Sequence, residues 1–142
     1  MARPRIVIDT NILVSALRSS RGASHRLLLL IASGKFQTCL SVPVLLEYDD
    51  VCKCLVGQIP LDESDVDDVL DYLCGQAERV TVYYLWRPFL SDPKDDMLLE
   101  LAVAGNCDYI VTFNRRDFKG IERFGIGLRT QRELLAEIGE IP

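Results

Sequence analysis

The sequence predicts an α/β fold in which a parallel sheet of four to five strands is covered by helices on both faces, and three observations carry that reading. Short apolar runs rich in β-branched residues recur along the 142-residue chain, beginning with Ile6-Val-Ile8. Segments of helical periodicity separate them, and strands separated by helices imply parallel pairing. The first run is continuously apolar instead of alternating, as in a strand buried on both faces.

Arg5 to Asp9 is the first strand, ending at an acid and followed by Thr10-Asn11 and a helical pattern at Ile12, Leu13, Ala16 and Leu17. Ser19-Ser20-Arg21-Gly22 breaks that helix, Ser24 to Ala32 resumes it, and Gly34 stops it before a second strand at Phe36 to Leu40. Ser41 caps a helix with Pro43 in its first turn, running to about Leu55. Gly57 to Pro60 is a turn. Asp62 to Gln76 is a helix with Val66, Val69, Leu70 and Leu73 inside and an acidic, solvated outer face. Val80 to Tyr84 reads as a third strand, Asp92 to about Ala104 as a helix, Asp108 to Thr112 as a fourth strand and Gly125 to Arg129 as a fifth.

Length and an apolar content of 49%, with mean hydropathy +0.13, fit one domain over residues 1–142 with a real core. The longest apolar runs, such as Leu27 to Ala32, fall far short of the roughly 20 residues a membrane span needs. Met1 to Arg5 leads into a strand instead of a signal-peptide core, so a cytoplasmic protein with no membrane partner is expected. Five cysteines, an odd number without a secretion signal, read as reduced thiols; Cys52 and Cys54 point apart on a helix. The single histidine, His25, excludes multi-histidine metal sites and argues against a Ser-His-Asp triad. A net charge of −5 does not favour nucleic acid, although acids concentrated around metal ions weaken that inference.

Four acidic segments break the pattern. Asp9 ends a strand, and Glu47 lies on the otherwise apolar stripe Val44, Tyr48, Val51, Leu55. Asp95 forms an inward i, i+3, i+4, i+7 set with Leu98, Leu99 and Ala102, while Asp96 borders that stripe and faces solvent. Asp92 before Pro93 reads as an N-cap. Asp117 and Asn114 follow the fourth strand in Thr112-Phe-Asn-Arg-Arg-Asp117. Ligand sites of parallel sheets lie outside the carboxyl ends of the strands, where Asp9 and this loop meet. Carboxylates gathered there repel one another and lose hydration, so a hard cation, Mg²⁺ or Mn²⁺, is expected.

These blocks, IVIDTNILVSAL, SVPVLLEYDDV and DPKDDMLLELAVAGNCDYIVTFNRRDF, resemble in order and spacing those of a PIN domain, in the subfamily of short stand-alone VapC-type toxins. The resemblance covers nearly the whole chain. It implies a three-layer α/β/α domain and a metal-dependent ribonuclease for single-stranded RNA, with Asp9, Glu47 and Asp95 as the acidic core. Asp9 and Asp95 are then the principal ligands, Glu47 a ligand or the orienter of the attacking water, and Asp117 an outer ligand. Thr10, Asn11, Thr112 and Asn114 orient carboxylates and water, and Arg115 and Arg116 meet the RNA backbone. The resemblance further implies a small antitoxin as partner, and the apolar content of so short a chain a homodimer. Where many members carry Asp two residues after the Thr, this chain has Asn114, and the second reading is a PIN-like domain that no longer cuts and instead binds RNA or a protein.

Overall fold

The apolar run after Pro4 becomes the central strand of a five-stranded sheet. In the computed structural model, which describes residues 3–83 and 89–142, the strands are β1 (Arg5–Ile8), β2 (Gln37–Leu40), β3 (Glu78–Arg79), β4 (Tyr109–Val111) and β5 (Gly127–Arg129). Their spatial order is β3-β2-β1-β4-β5, and every pair is parallel. The described connections contain α1 (Thr10–Arg18), α2 (Ala23–Leu29), α3 (Val42–Cys54), α4 (Glu63–Gln76), α5 (Pro93–Ala104) and α6 (Gln131–Glu137). From β1 the chain moves outward through β2 to β3, then returns past β1 to β4. Right-handed crossovers in those two directions carry helices to opposite faces, giving the three-layer α/β/α arrangement.

Burial on both faces explains the composition of the central strands. Ile6, Val7, Ile110 and Val111 have no exposed surface. Leu99, Leu101 and Ala102 of α5 and Ile12 and Leu13 of α1 join them in one core. Local signals set the helix starts: the Ser41 side chain accepts from the Val44 N–H with Pro43 in the first turn of α3. Asp62 and Asp65 cap α4 reciprocally. The acids of α4 are exposed, as expected of a solvated face. All five cysteines are free, Cys52 buried and Cys54 exposed. Among the described residues no helix is long and apolar enough to cross a membrane.

Several boundaries differ from expectation. The third strand forms at Glu78–Arg79 instead of Val80 to Tyr84, whose last residue lies outside the described residues. Its register is set by β2: Leu40 pairs with Arg79, Val80 still donates to the Leu40 carbonyl at 2.8 Å, and Ser41 then turns away to cap α3, ending the template. Helix α2 tightens after Leu29 into a 3-10 turn over Leu30–Ser33, closed by Gly34 at φ 83°. Helix α6 was not anticipated, although Thr130-Gln-Arg-Glu133 before Leu134 and Leu135 is a capping box ahead of an apolar pair, and both capping bonds are present.

One contact ties the helical layer to the carboxyl end of the sheet. The Tyr48 hydroxyl, fully buried on α3, donates to the carbonyl of Ile8, the residue before Asp9. Burial pushes the Tyr48 phenol well above its ordinary range, so it stays a neutral donor. Replacing Tyr48 with Phe is expected to lower unfolding free energy by about 1 kcal/mol, the net worth of one buried hydrogen bond, as read from urea denaturation midpoints at constant m.

Candidate functional site

The reversal of strand order between β1 and β4 makes a topological switch point, and the crevice there opens outside their carboxyl ends. Register fixes what faces it: Ile8 pairs with Val111, so the next residues, Asp9 and Thr112, emerge side by side. The Asp9 N–H donates to the Val111 carbonyl at 2.9 Å, and the buried Thr112 hydroxyl donates to Asp9 Oδ2 at 2.7 Å. That hydroxyl in turn accepts the Asn114 N–H at 3.0 Å. Asp9 occupies the N-cap position of α1 without a side-chain capping bond.

Helices supply the remaining acids. Asp95, in the first turn of α5, and Glu47, midway along α3, line a cleft of about 630 Å³ together with Asp9, Asp117, Thr10, Asn11 and Asn114. Asp92 lines it too while capping α5, its carboxylate accepting the Lys94 N–H at 2.9 Å. The expected acids are thus gathered from four separate segments. Asp96 corrects the sequence reading. It is 2% exposed and its Oδ1 accepts the Leu90 N–H at 2.9 Å, because the segment before α5 folds over that side of the helix and needs an acceptor.

Crowding shows in the proton affinities. Burial raises Asp9 above the usual carboxylate range, opposed by the Thr112 hydroxyl and the N–H groups of Asn11 and Thr10, and reinforced by the charge of Asp117. Asp95 is pushed up to about 7, first by burial and then by the charges of Asp9, Asp117, Asp92 and Asp96. Asn11 Oδ1, which belongs to this cleft, is buried without a hydrogen-bond partner among the described residues. Hard oxygen donors in excess of local positive charge, with an orphaned amide oxygen beside them, fit a hard divalent cation. Among the described residues no three acids stand close enough to form a ready-made cage. An open arrangement of this kind suits an ion that keeps several waters and is held by only one or two carboxylates.

Sequence reasoning missed the cleft's bases and its aromatic. Arg18, Lys94 and Phe113 all line it, and Lys94 Nζ stands 3.7 Å from Glu47 Oε1 across its mouth. Arg115 and Arg116 do not line it; Arg115 pairs with Glu133 of α6. Nothing in the local pattern of Arg18 or Lys94 marks them, since a charge on the solvated part of a helix looks alike beside a cleft or away from one.

An acid-lined crevice at the switch point of a parallel α/β/α sheet defines the class of protein. The family profile described as PIN domain matches residues 5–116, and the chain belongs to that family. PIN domains are typically nucleases, which places the chain at a coarse level among hydrolases. A chain in the crystal structure of VapBC2 from Rickettsia felis bound to a DNA fragment from their promoter shares the fold, with a TM-score of 0.61 and 19% identity over 89% of this chain and 98% of that one. No curated protein sequence matches significantly.

The raised affinities give a signed pH dependence for the metal-free protein. A carboxyl whose folded pKa exceeds its unfolded value favours folding below the unfolded pKa, and that contribution is lost as pH rises through the folded pKa. For Asp95 the loss spans about pH 4 to about pH 7. The melting temperature in EDTA should therefore fall between pH 5 and pH 8, and Asp95→Asn should flatten the profile in calorimetric scans.

Proposed function

We propose that this chain is a Mg²⁺- or Mn²⁺-dependent endoribonuclease that hydrolyses phosphodiester bonds in single-stranded RNA, as the toxin of a toxin–antitoxin pair. The observation that carries the reading is the convergence of Asp9, Glu47, Asp95 and Asp117 on one cleft at the switch point of a PIN fold, with Asp9 raised by burial and the charge of Asp117 and Asp95 by burial and the charges of Asp9 and Asp117. Asp9 and Asp95 would hold the ion, with Asp117 as an outer ligand. Bound there, the cation would supply charge neutralisation at the phosphate and would make a bound water easier to deprotonate.

The chain's own residues do the positioning. Thr112 locks Asp9 through its hydroxyl, and the Asn114 N–H locks Thr112. Glu47 ligates the ion or orients the attacking water. Its pair with the mostly exposed Lys94 is worth at most about 1 kcal/mol, so the amine is free to swing onto a phosphate. Arg18 offers a second phosphate contact from the other wall, and the exposed Arg116 extends the track beyond the cleft.

The Rickettsia felis neighbour belongs to a VapBC complex, which supports a small antitoxin as partner here. A basic side chain inserted among Asp9, Glu47 and Asp95 would mimic the cation's charge. We further propose a single domain, a cytoplasmic location and a homodimer that lengthens the RNA groove. One observation favours a second reading, a binding module without cleavage: an amide, Asn114, stands in the cleft where many relatives carry a carboxylate.

Cleavage separates the two. Purified protein is expected to cut single-stranded RNA with Mg²⁺ or Mn²⁺ and to stop in excess EDTA; RNA bound but uncut under every metal condition would establish the binding module. Asp9→Asn and Asp95→Asn are each expected to lower the rate by more than about 100-fold, since even the outer partners of a metal site are worth about 10–100-fold. Both variants should keep the native circular dichroism spectrum and melt no lower than the parent in EDTA. Unfolded variants would make these acids structural.

A further inference from the structure

The loop after β4 carries two phenylalanines with opposite fates. Phe118 is 1% exposed in the core, whereas Phe113 is 47% exposed and lines the acidic cleft beside Asp9, Asp95 and Asp117. Its backbone is pinned on both sides. Thr112 before it is fully buried and bonded to Asp9, and the Asn114 N–H after it returns to the Thr112 hydroxyl. A large apolar ring is thereby held in water at the rim of the pocket, in a position set by the same bonds that set Asp9.

The electrostatics of the cleft give that ring a task. Five acids line it against two bases, Arg18 and Lys94, and the chain carries a net charge of −5. Counterion release, the usual source of affinity for nucleic acid, scales with the number of phosphates neutralised and is small here even with one divalent ion bound. Binding needs a contact that does not depend on positive charge. Stacking of a base on an aromatic ring is such a contact, and it requires a base whose face is unpaired.

We infer that Phe113 is the stacking platform for the nucleobase next to the scissile phosphate, an assignment that rests on the ribonuclease reading above. Because every base has a π-face, Phe113 selects for single-stranded over duplex RNA and does not set the base sequence. Its anchoring through Thr112 couples the position of that base to Asp9, so the phosphate is presented to the acids in one register.

The test pairs protein variants with RNA oligonucleotides carrying one abasic residue at successive positions around the cleaved bond. Phe113→Ala and Phe113→Leu are expected to raise KM by about tenfold or more with a smaller fall in kcat, while Phe113→Tyr and Phe113→Trp retain near-parental KM. An abasic residue at one position adjoining the cleaved bond should raise KM for the parent but add little for Phe113→Ala. Salt dependence should stay the same in all variants. Unchanged KM in Phe113→Ala, or abasic penalties equal in parent and variant at every position, overturns the stacking role while leaving cleavage intact. Rescue by Leu equal to that by Tyr would reduce Phe113 to an apolar filler and overturn it as well. A parent protein that cuts no single-stranded RNA overturns the ribonuclease reading and this inference together.

Discussion

Everything at the carboxyl edge of this sheet is organised around a carboxylate that burial disfavours and a threonine that keeps it in place. Asp9 is 7% exposed, and its Oδ2 takes the hydroxyl of Thr112 across the gap between the two central strands. One hydrogen bond offsets only part of the cost of burying a charge, and the charge of Asp117 in the β4 loop adds to that cost. The scaffold is correspondingly rigid where it carries these acids. Ile6, Val7, Ile110 and Val111 beneath the site have no exposed surface, so a well-packed centre carries a destabilised rim.

How much of this was legible before the fold depends on whether a residue's role is local. Asp9 announced itself because an acid closing an apolar run has few structural uses, and Asp95 because it falls on the inward stripe of a strongly apolar helix. Asp96, one position on, was misjudged for a physical reason: its partner is the Leu90 N–H, a group delivered by a segment whose path helix periodicity does not specify. The third strand was displaced because its extent is dictated by β2, which ends where Ser41 begins to cap α3. Arg18, Lys94 and Phe113 were invisible since lining a cleft is a property of three elements at once. Arg115 looked available until α6, itself unanticipated, supplied Glu133.

The two helices that frame the cleft are anchored differently, α5 on the sheet and α3 on its neighbouring helices. Helix α5 packs over β1, β2 and β4, so Asp95 is fixed to the sheet. Glu47 sits on α3, which packs on α1, α4 and α5 and whose next residue, Tyr48, is bonded to the carbonyl of Ile8. At the mouth the Glu47–Lys94 pair spans 3.7 Å with the lysine mostly exposed, a contact that water and salt weaken readily.

The order of the strands in space also governs timing during synthesis. β1 occupies the middle of the sheet, yet its partner β4 and the hydroxyl that locks Asp9 lie 103 residues further along the chain. At ribosomal speeds of about 5–20 residues per second, roughly 5–20 s pass between the emergence of Asp9 and that of Thr112. For most of that interval the first strand lacks one neighbour, the acids of α5 arrive only near its end, and Asp117 follows Thr112. The cleft is thus incomplete by topology alone until nearly the whole of the matched domain has been synthesised.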